Sequence, residues 1–242
     1  MTVAMSAPKA IVDPGDATAV PSRRLWRAKY AVEWALALLL TAALAPLEVL
    51  LAALVKLTSR GPVFYVSDRL GKDNRVFRLY KFRSMKVNVA EIRAPSGKVI
   101  TLPGDARLTR IGRFLRLGFD ELPQLLNVLK GEMCLIGPRP DVPWELPLYG
   151  PRERLRTAVL PGITGLTQVL GGRELDNHQN YELDVRYVVR SGAWMDLGIA
   201  LLTPLYSLGA RKIGQRCFRR HMEGLEAFSD ASVKALQAGG AP

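Results

Sequence analysis

Apolar and polar positions divide the chain into distinct textures. Residues 1–24 show no apolar periodicity and carry Pro8, Pro14, Gly15 and Pro21 beside Asp13 and Asp16, the composition of a disordered leader. Over 25–60 the pattern turns almost wholly apolar and predicts a membrane helix. Its longest charge-free run, Trp34–Leu47, is 14 residues, whereas a spanning helix needs about 20. Pro46 and Glu48 interrupt the continuation. An interior proline costs about 3 kcal/mol of helix stability, and a carboxylate at mid-bilayer is also costly. The segment is therefore expected to break near Pro46.

From Gly61 the pattern is that of a soluble domain, predicted to run over 61–196. Val63–Val66 and Val76–Tyr80 have the composition of short strands joined by the polar turn Lys72-Asp73-Asn74. Residues 86–104 are irregular, and Arg107–Arg116 predicts a basic helix. Leu122, Leu125, Leu126 and Leu129 then fall at i, i+3, i+4 and i+7, the stripe of a helix packed on a core. Pro123 suits its first turn and Gly131 its C-terminal end. Six prolines between Pro138 and Pro161 predict a loop or broken helix. Over 197–242 the apolar run Leu197–Leu208, 12 residues containing Pro204, is too short to span and suits a helix lying in the membrane interface. Arg211, Lys212, Arg216, Arg219 and Arg220 follow, interleaved with Ile213, Cys217 and Phe218 as on a basic amphipathic helix. The class is α/β, mainly helical with short strands.

Charge sharpens the topology. The net charge is +12, and basic residues flank the apolar segment on both sides: Arg23, Arg24, Arg27 and Lys29 before it, Lys56, Arg60, Arg69 and Lys72 after it. The positive-inside rule places both flanks in the cytoplasm. A helix that enters one leaflet and returns meets that demand; a tilted single span is the alternative. The positive charge calls for an anionic partner. No zinc-finger spacing or aromatic–basic RNA signature is present, so the reading is no nucleic acid. Cys134 and Cys217 show no metal or redox pairing pattern, and His178 and His221 are isolated.

The chemistry concentrates in Phe119-Asp120-Glu121-Leu122-Pro123-Gln124 and, further on, Gly137-Pro138-Arg139-Pro140. Asp120 and Glu121 open a helix, where N–H groups and the macrodipole favour negative charge. Taken alone, the pair would be ordinary cap residues. Other blocks surround it in order: Gly61-Pro62-Val63-Phe64-Tyr65, Arg69-Leu70-Gly71, Tyr80-Lys81-Phe82-Arg83-Ser84-Met85, Asp105-Ala106-Arg107-Leu108-Thr109, Pro161-Gly162-Ile163-Thr164-Gly165 and Asp184-Val185-Arg186-Tyr187. The ordered set, over roughly residues 25–205, resembles the bacterial sugar transferases, the small monotopic phosphoglycosyl transferases that act on a polyprenyl phosphate.

That resemblance implies a monotopic protein with a re-entrant N-terminal helix on the cytoplasmic face of the bacterial inner membrane. It implies transfer of a sugar-1-phosphate from a UDP-sugar to polyprenyl (undecaprenyl) phosphate, releasing UMP, as a first membrane step of surface-glycan synthesis. Asp120 would be the nucleophile and Glu121 a catalytic carboxylate and ligand to Mg²⁺. Carboxylates do attack phosphorus to form acyl phosphates, and one or two carboxylates with substrate oxygens commonly hold magnesium. Lys81, Arg83, Arg107 and Arg139 would supply fixed charge for phosphate. Arg139 stands out because flanking prolines limit its backbone and a guanidinium binds phosphate bidentately. Asp184 is open between orienting a basic residue or substrate and capping a helix. The family places an arginine five residues before the nucleophile; here Leu115 holds that place and Arg116 is one residue closer. Anionic lipid is the further partner, and a homodimer stays open. A non-catalytic basic membrane adaptor is the competing class, but an adaptor has no need of Asp120, Glu121 and Arg139 together.

Overall fold

The computed structural model describes residues 23–90, 92, 105–170 and 177–207. The leader through residue 22, most of the irregular 86–104 stretch and the basic segment after Ser207 lie outside the described residues. Helix α1, Arg23–Thr58, is 36 residues, about 54 Å at 1.5 Å per residue. Pro46, where the apolar pattern predicted a break, lies inside it. Trp26, Ala37, Leu51 and Val55 are buried, so the segments on both sides of Pro46 rest on the domain. The opposite face leaves Val32, Leu38, Leu39, Val49 and Leu50 exposed. Among the described residues, α1 is the helix long and apolar enough to cross a membrane.

Strands β1 (Phe64–Leu70) and β2 (Val76–Phe82) form an antiparallel hairpin in register from Phe64↔Phe82 to Leu70↔Val76. Both extend beyond the predicted strands, β1 towards its end through the polar Ser67 and Asp68. Pairing sustains them: Asp68 lies opposite Arg78, a favourable cross-strand charge pair. Asp73 and Asn74 adopt positive φ in the connecting turn, a conformation these side chains tolerate.

Helix α2, Arg110–Leu115, is shorter than predicted and capped by Thr109, whose hydroxyl accepts from Gly112 N at 2.9 Å. The next segment is not one regular helix. Phe119–Gln124 is a 3₁₀ turn that passes into helix α3, Leu125–Leu129. The tighter turn changes the angular phase, so Leu125 is buried while Leu126 is 39% exposed. Gly131, at φ 74°, closes α3 in the left-handed region as expected. The proline-rich connection holds two 3₁₀ turns, Pro143–Leu148 and Glu153–Ala158.

Three-residue strands β3 (Cys134–Ile136) and β4 (Gly162–Thr164) pair in parallel across that connection. Helix α4 is Leu166–Leu170, α5 Asn177–Arg190 and α6 Ala193–Ser207. One core cluster joins Trp26 of α1 to Val169, Tyr187 and Ile199. A second joins Ala37 to Leu79, Leu125 and Met133; a third joins Leu51 and Val55 to Phe82 and Leu115. Long-range polar contacts fix α1 further: Glu33 accepts from Leu135 N at 3.1 Å, and Lys29 pairs with Asp196 of α6 at 3.1 Å.

Candidate active site

Strand β2 and the 3₁₀ turn face each other. Lys81 projects from β2, and its Nζ meets Glu121 Oε1 at 2.5 Å. Arg139, carried on the Gly-Pro-Arg-Pro loop after β3, brings Nη2 to the same oxygen at 3.4 Å. Glu121 thus sits between two cations. Burial alone would push its carboxyl up, but Lys81 and Arg139 outweigh burial and hold it down to about 2. Asp120, the adjacent residue, goes the other way. Burial raises its carboxyl and the charge of Glu121 adds to that, against the pull of Lys81 and Arg116. Neighbouring carboxylates with opposite shifts are the pattern of groups with separate roles. Lys81 is lowered, chiefly by burial.

All the sequence-derived candidates, Lys81, Arg83, Arg107, Asp120, Glu121, Arg139 and Asp184, border one cavity of about 2460 Å³. Their side chains have different occupations. Lys81, Asp120, Glu121 and Arg139 form one electrostatic unit at the cavity wall. Arg83 is turned to the end of α1: Nη1 donates to Arg60 O at 2.9 Å, and Nη2 donates to Ser59 O at 2.9 Å and to Ser59 Oγ at 2.7 Å. These carbonyls lie just past α1, where backbone acceptors lack helical partners. Gly61 makes room, since a Cβ there would stand 2.0 Å from Arg83 Nη1. Arg107 forms a bidentate pair with Asp105, at 2.9 and 2.6 Å, inside its own motif.

Arg116 donates from Nε to Ser84 Oγ at 3.2 Å. Its charge nevertheless acts on Asp120, so the shortened loop keeps a cation beside that carboxyl. Asp184 is 1% exposed and accepts from Arg156 Nη2 at 2.6 Å, from Arg156 Nε at 3.0 Å and from the Thr167 hydroxyl. Of the roles open to it, orienting a basic residue is the one this geometry displays. Arg156 also pairs with Asp141, donates to the Tyr149 hydroxyl at 2.8 Å and donates to Arg139 O at 3.2 Å. It therefore fixes the backbone that presents Arg139. Sequence reasoning missed Arg156, which lies in the proline-rich connection with no periodicity to mark it as buried. Arg69, close enough to Arg139 for the two charges to interact, was counted only as a flanking cation.

Among the described residues there is no group of three or more His, Cys, Asp or Glu side chains placed to hold a metal. Glu121, the carboxylate the sequence offers for magnesium, lies at the cavity wall, and a single carboxylate with substrate oxygens is a common magnesium set.

Sequence comparison places this geometry in a family context. Residues 24–209 match the profile of the bacterial sugar transferases. The chain is 43% identical over 187 residues to an undecaprenyl-phosphate glucose phosphotransferase of Komagataeibacter xylinus, covering 72% of this chain and 35% of that protein. It is 38% identical over 186 residues to a UDP-glucose:undecaprenyl-phosphate glucose-1-phosphate transferase of Escherichia coli, covering 72% of this chain and 39% of the relative. EpsL of Bacillus subtilis, named as an uncharacterized sugar transferase, is 44% identical over 152 residues, covering 62% of this chain and 72% of its own length. The chain thus spans little more than a third of the longer curated relatives it matches. With the matched region running from the start of α1 past the end of α6, the chain belongs to the bacterial sugar transferase family.

Proposed function

We propose that this protein transfers a sugar-1-phosphate from a UDP-sugar to undecaprenyl phosphate, releasing UMP, on the cytoplasmic face of a bacterial inner membrane. The product, a polyprenyl-diphosphate sugar, would begin assembly of an exopolysaccharide or other surface glycan. The observation that carries this reading is the split dyad: Asp120 raised, Glu121 held ionised between Lys81 and Arg139, both at one cavity wall. The names of the relatives supply the substrate classes.

In the proposed route an Asp120 oxygen attacks the sugar-bearing phosphorus. The bond from that phosphorus to the bridging oxygen breaks, and UMP departs with the electron pair. The sugar phosphate remains on Asp120 as an acyl phosphate. An oxygen of the prenyl phosphate then attacks the same phosphorus and expels the Asp120 carboxylate. Two displacements remove the need to align a soluble donor and a membrane-embedded acceptor at once. Lys81 and Arg139 offset the charge on the diphosphate oxygens, and Arg139 can do so bidentately. Glu121 would hold Mg²⁺, which when bound would neutralise diphosphate charge.

Membrane attachment is assigned to α1 and α6. Residues near both ends of α1 rest on the same domain, and basic residues lie at both of its ends, which supports entry and exit on one side rather than a span. Exposed Trp194, Leu197, Leu201 and Leu205 on α6 suit the interface.

The test is intact-mass analysis after mixing with UDP-sugar alone. One added sugar phosphate, mapped to Asp120 and missing in Asp120→Asn, is the expected result, with UMP released in a burst. No adduct and no burst would overturn the covalent route. Chelation by EDTA should stop turnover and added Mg²⁺ restore it; full activity in chelator would remove the metal from the mechanism.

A further inference from the structure

Asn127, on α3, is fully buried, and the transfer chemistry described above makes no use of it. A carboxamide carries an acceptor oxygen and two donor N–H groups, and removing them from water is costly unless each finds a partner. Here each does. Oδ1 accepts from Tyr80 N at 3.2 Å, while Nδ2 donates to Arg78 O at 2.8 Å and to Glu132 Oε2 at 2.7 Å. The backbone carbonyl of Asn127 accepts from Glu132 N at 3.0 Å and from Met133 N at 3.3 Å, closing the turn after α3.

Arg78 O and Tyr80 N flank Leu79 on one edge of β2, the edge turned away from β1. The carboxamide therefore takes the place that a peptide group of a third strand would occupy. Lys81 is the next residue along β2, and Asn127 follows Glu121 by six residues in the segment that carries the dyad. Leu79 also packs with Leu125 and Val128, but apolar contact is non-directional and tolerates sliding. Directional hydrogen bonds do not. A slip of β2 by one residue would carry Lys81 about 3.4 Å and turn its side chain to the other face. Its 2.5 Å contact with Glu121 has no such slack.

We propose that Asn127 is a positioning residue for the transfer: its carboxamide fixes β2 against α3 so that Lys81 meets Glu121 beside Asp120. The inference rests on the reading of Lys81 as a cation for the diphosphate, and it adds what holds that cation in place. Arg139 reaches the same Glu121 oxygen from the loop after β3, so Asn127 governs one of the two cations and not the other.

The test is a pair of double-mutant cycles on the full-length protein in phospholipid nanodiscs, with kcat/KM read as radiolabel passing from UDP-sugar into lipid. Asn127→Ser shortens the side chain out of reach of β2, and kcat/KM should fall about tenfold, the scale of a lost hydrogen bond expressed as a rate. In the Lys81→Met background the same substitution should cost less than about twofold, because the cation it places is gone; in Arg139→Ala it should cost the full factor. Val128→Ala is the control for packing alone, a buried apolar neighbour on α3. It should lower Tm, with the same small factor in kcat/KM whether or not Lys81 is present. Equal losses for Asn127→Ser in all three backgrounds, or a wild-type rate in Asn127→Ser, would leave Asn127 a structural residue and overturn the proposal. Glu132→Ala, at a half-buried site, frees one donor of the carboxamide and tests the same link if Asn127→Ser does not fold. It should lower kcat/KM about threefold with Lys81 present and not in Lys81→Met, and an equal loss in both would also sink the assignment. Wild-type activity of Lys81→Met by itself would overturn the diphosphate role of Lys81 and the proposal with it, an outcome visible before Asn127 is touched.

Discussion

Two ionic constellations border the same cavity, and they differ in how completely their charges are used. In the first, Glu121 is shared by Lys81 and Arg139, the Arg139 side chain is 47% exposed, and Asp120 stands beside them with a raised carboxyl. In the second, Arg156 is sealed among Asp141, Asp184, Tyr149 and the Arg139 carbonyl, with its own side chain 4% exposed and that of Asp184 1%. A guanidinium whose donors are all engaged has nothing left for a ligand; its work is to hold loops in place. A cation that keeps an open side can trade a weak contact at 3.4 Å for a phosphate. Charge at a cavity wall is therefore not enough to assign a binding role, and saturation of the hydrogen-bonding groups is the discriminating property.

Breaking the second constellation should have the larger effect. Arg156→Met leaves the Asp184 carboxylate buried and unpaired, a loss of about 3–5 kcal/mol. Calorimetry should find Tm lowered by on the order of 10 °C, with activity falling because the Arg139 loop loses its anchor. A Tm near wild type would show that the network is not a strut.

The first constellation should respond in the opposite sense. Arg139→Ala removes a half-exposed side chain, so Tm should stay within about 2 °C of wild type. Its kcat/KM should fall about a hundredfold, the scale of losing one charge-stabilising donor. Loss of stability with little loss of rate would reverse the assignment of the two arginines.

The smallest effect is a shift in pH dependence. In the proposed route Asp120 attacks in its ionised form, and its carboxyl is raised, so the UMP burst should fail as pH drops through a value above that of an ordinary aspartate. Glu121, held to about 2, stays ionised throughout that window and adds no second limb. Lys81 opposes the rise at Asp120, so Lys81→Met should move the limb to still higher pH. A limb that moves down would show that Lys81 does not act on Asp120.

Local pattern made much of the fold legible. Strand-forming composition and a polar turn marked the hairpin, a continuous apolar run marked α1, and prolines marked the irregular connection. The dyad could be located because helix-start chemistry and ordered motif blocks are contiguous in the chain. The occupations of the candidate cations were not legible. Lys81, Arg83 and Arg107 look alike as basic residues in motifs, yet one meets Glu121, one meets carbonyls beyond α1 and one meets Asp105. Leu126 was assigned to the buried stripe on a regular 3.6-residue period, and the 3₁₀ turn ahead of it altered the phase.

The sequence by itself determined the family, the apolar character of α1, the strands of the hairpin and the position of Asp120 and Glu121 at the start of a helical segment. Each rests on residues within a few positions of one another, where propensity and periodicity act. Only the tertiary structure decided that both ends of α1 pack on the domain, that β3 pairs with β4, and that Arg156 closes on Asp184. Those outcomes depend on partners far apart in the chain, 28 residues between Arg156 and Asp184 and 102 between Glu33 and Leu135. The energy of a buried charge or an interior proline is set by what packs against it, and that is fixed only when distant segments meet.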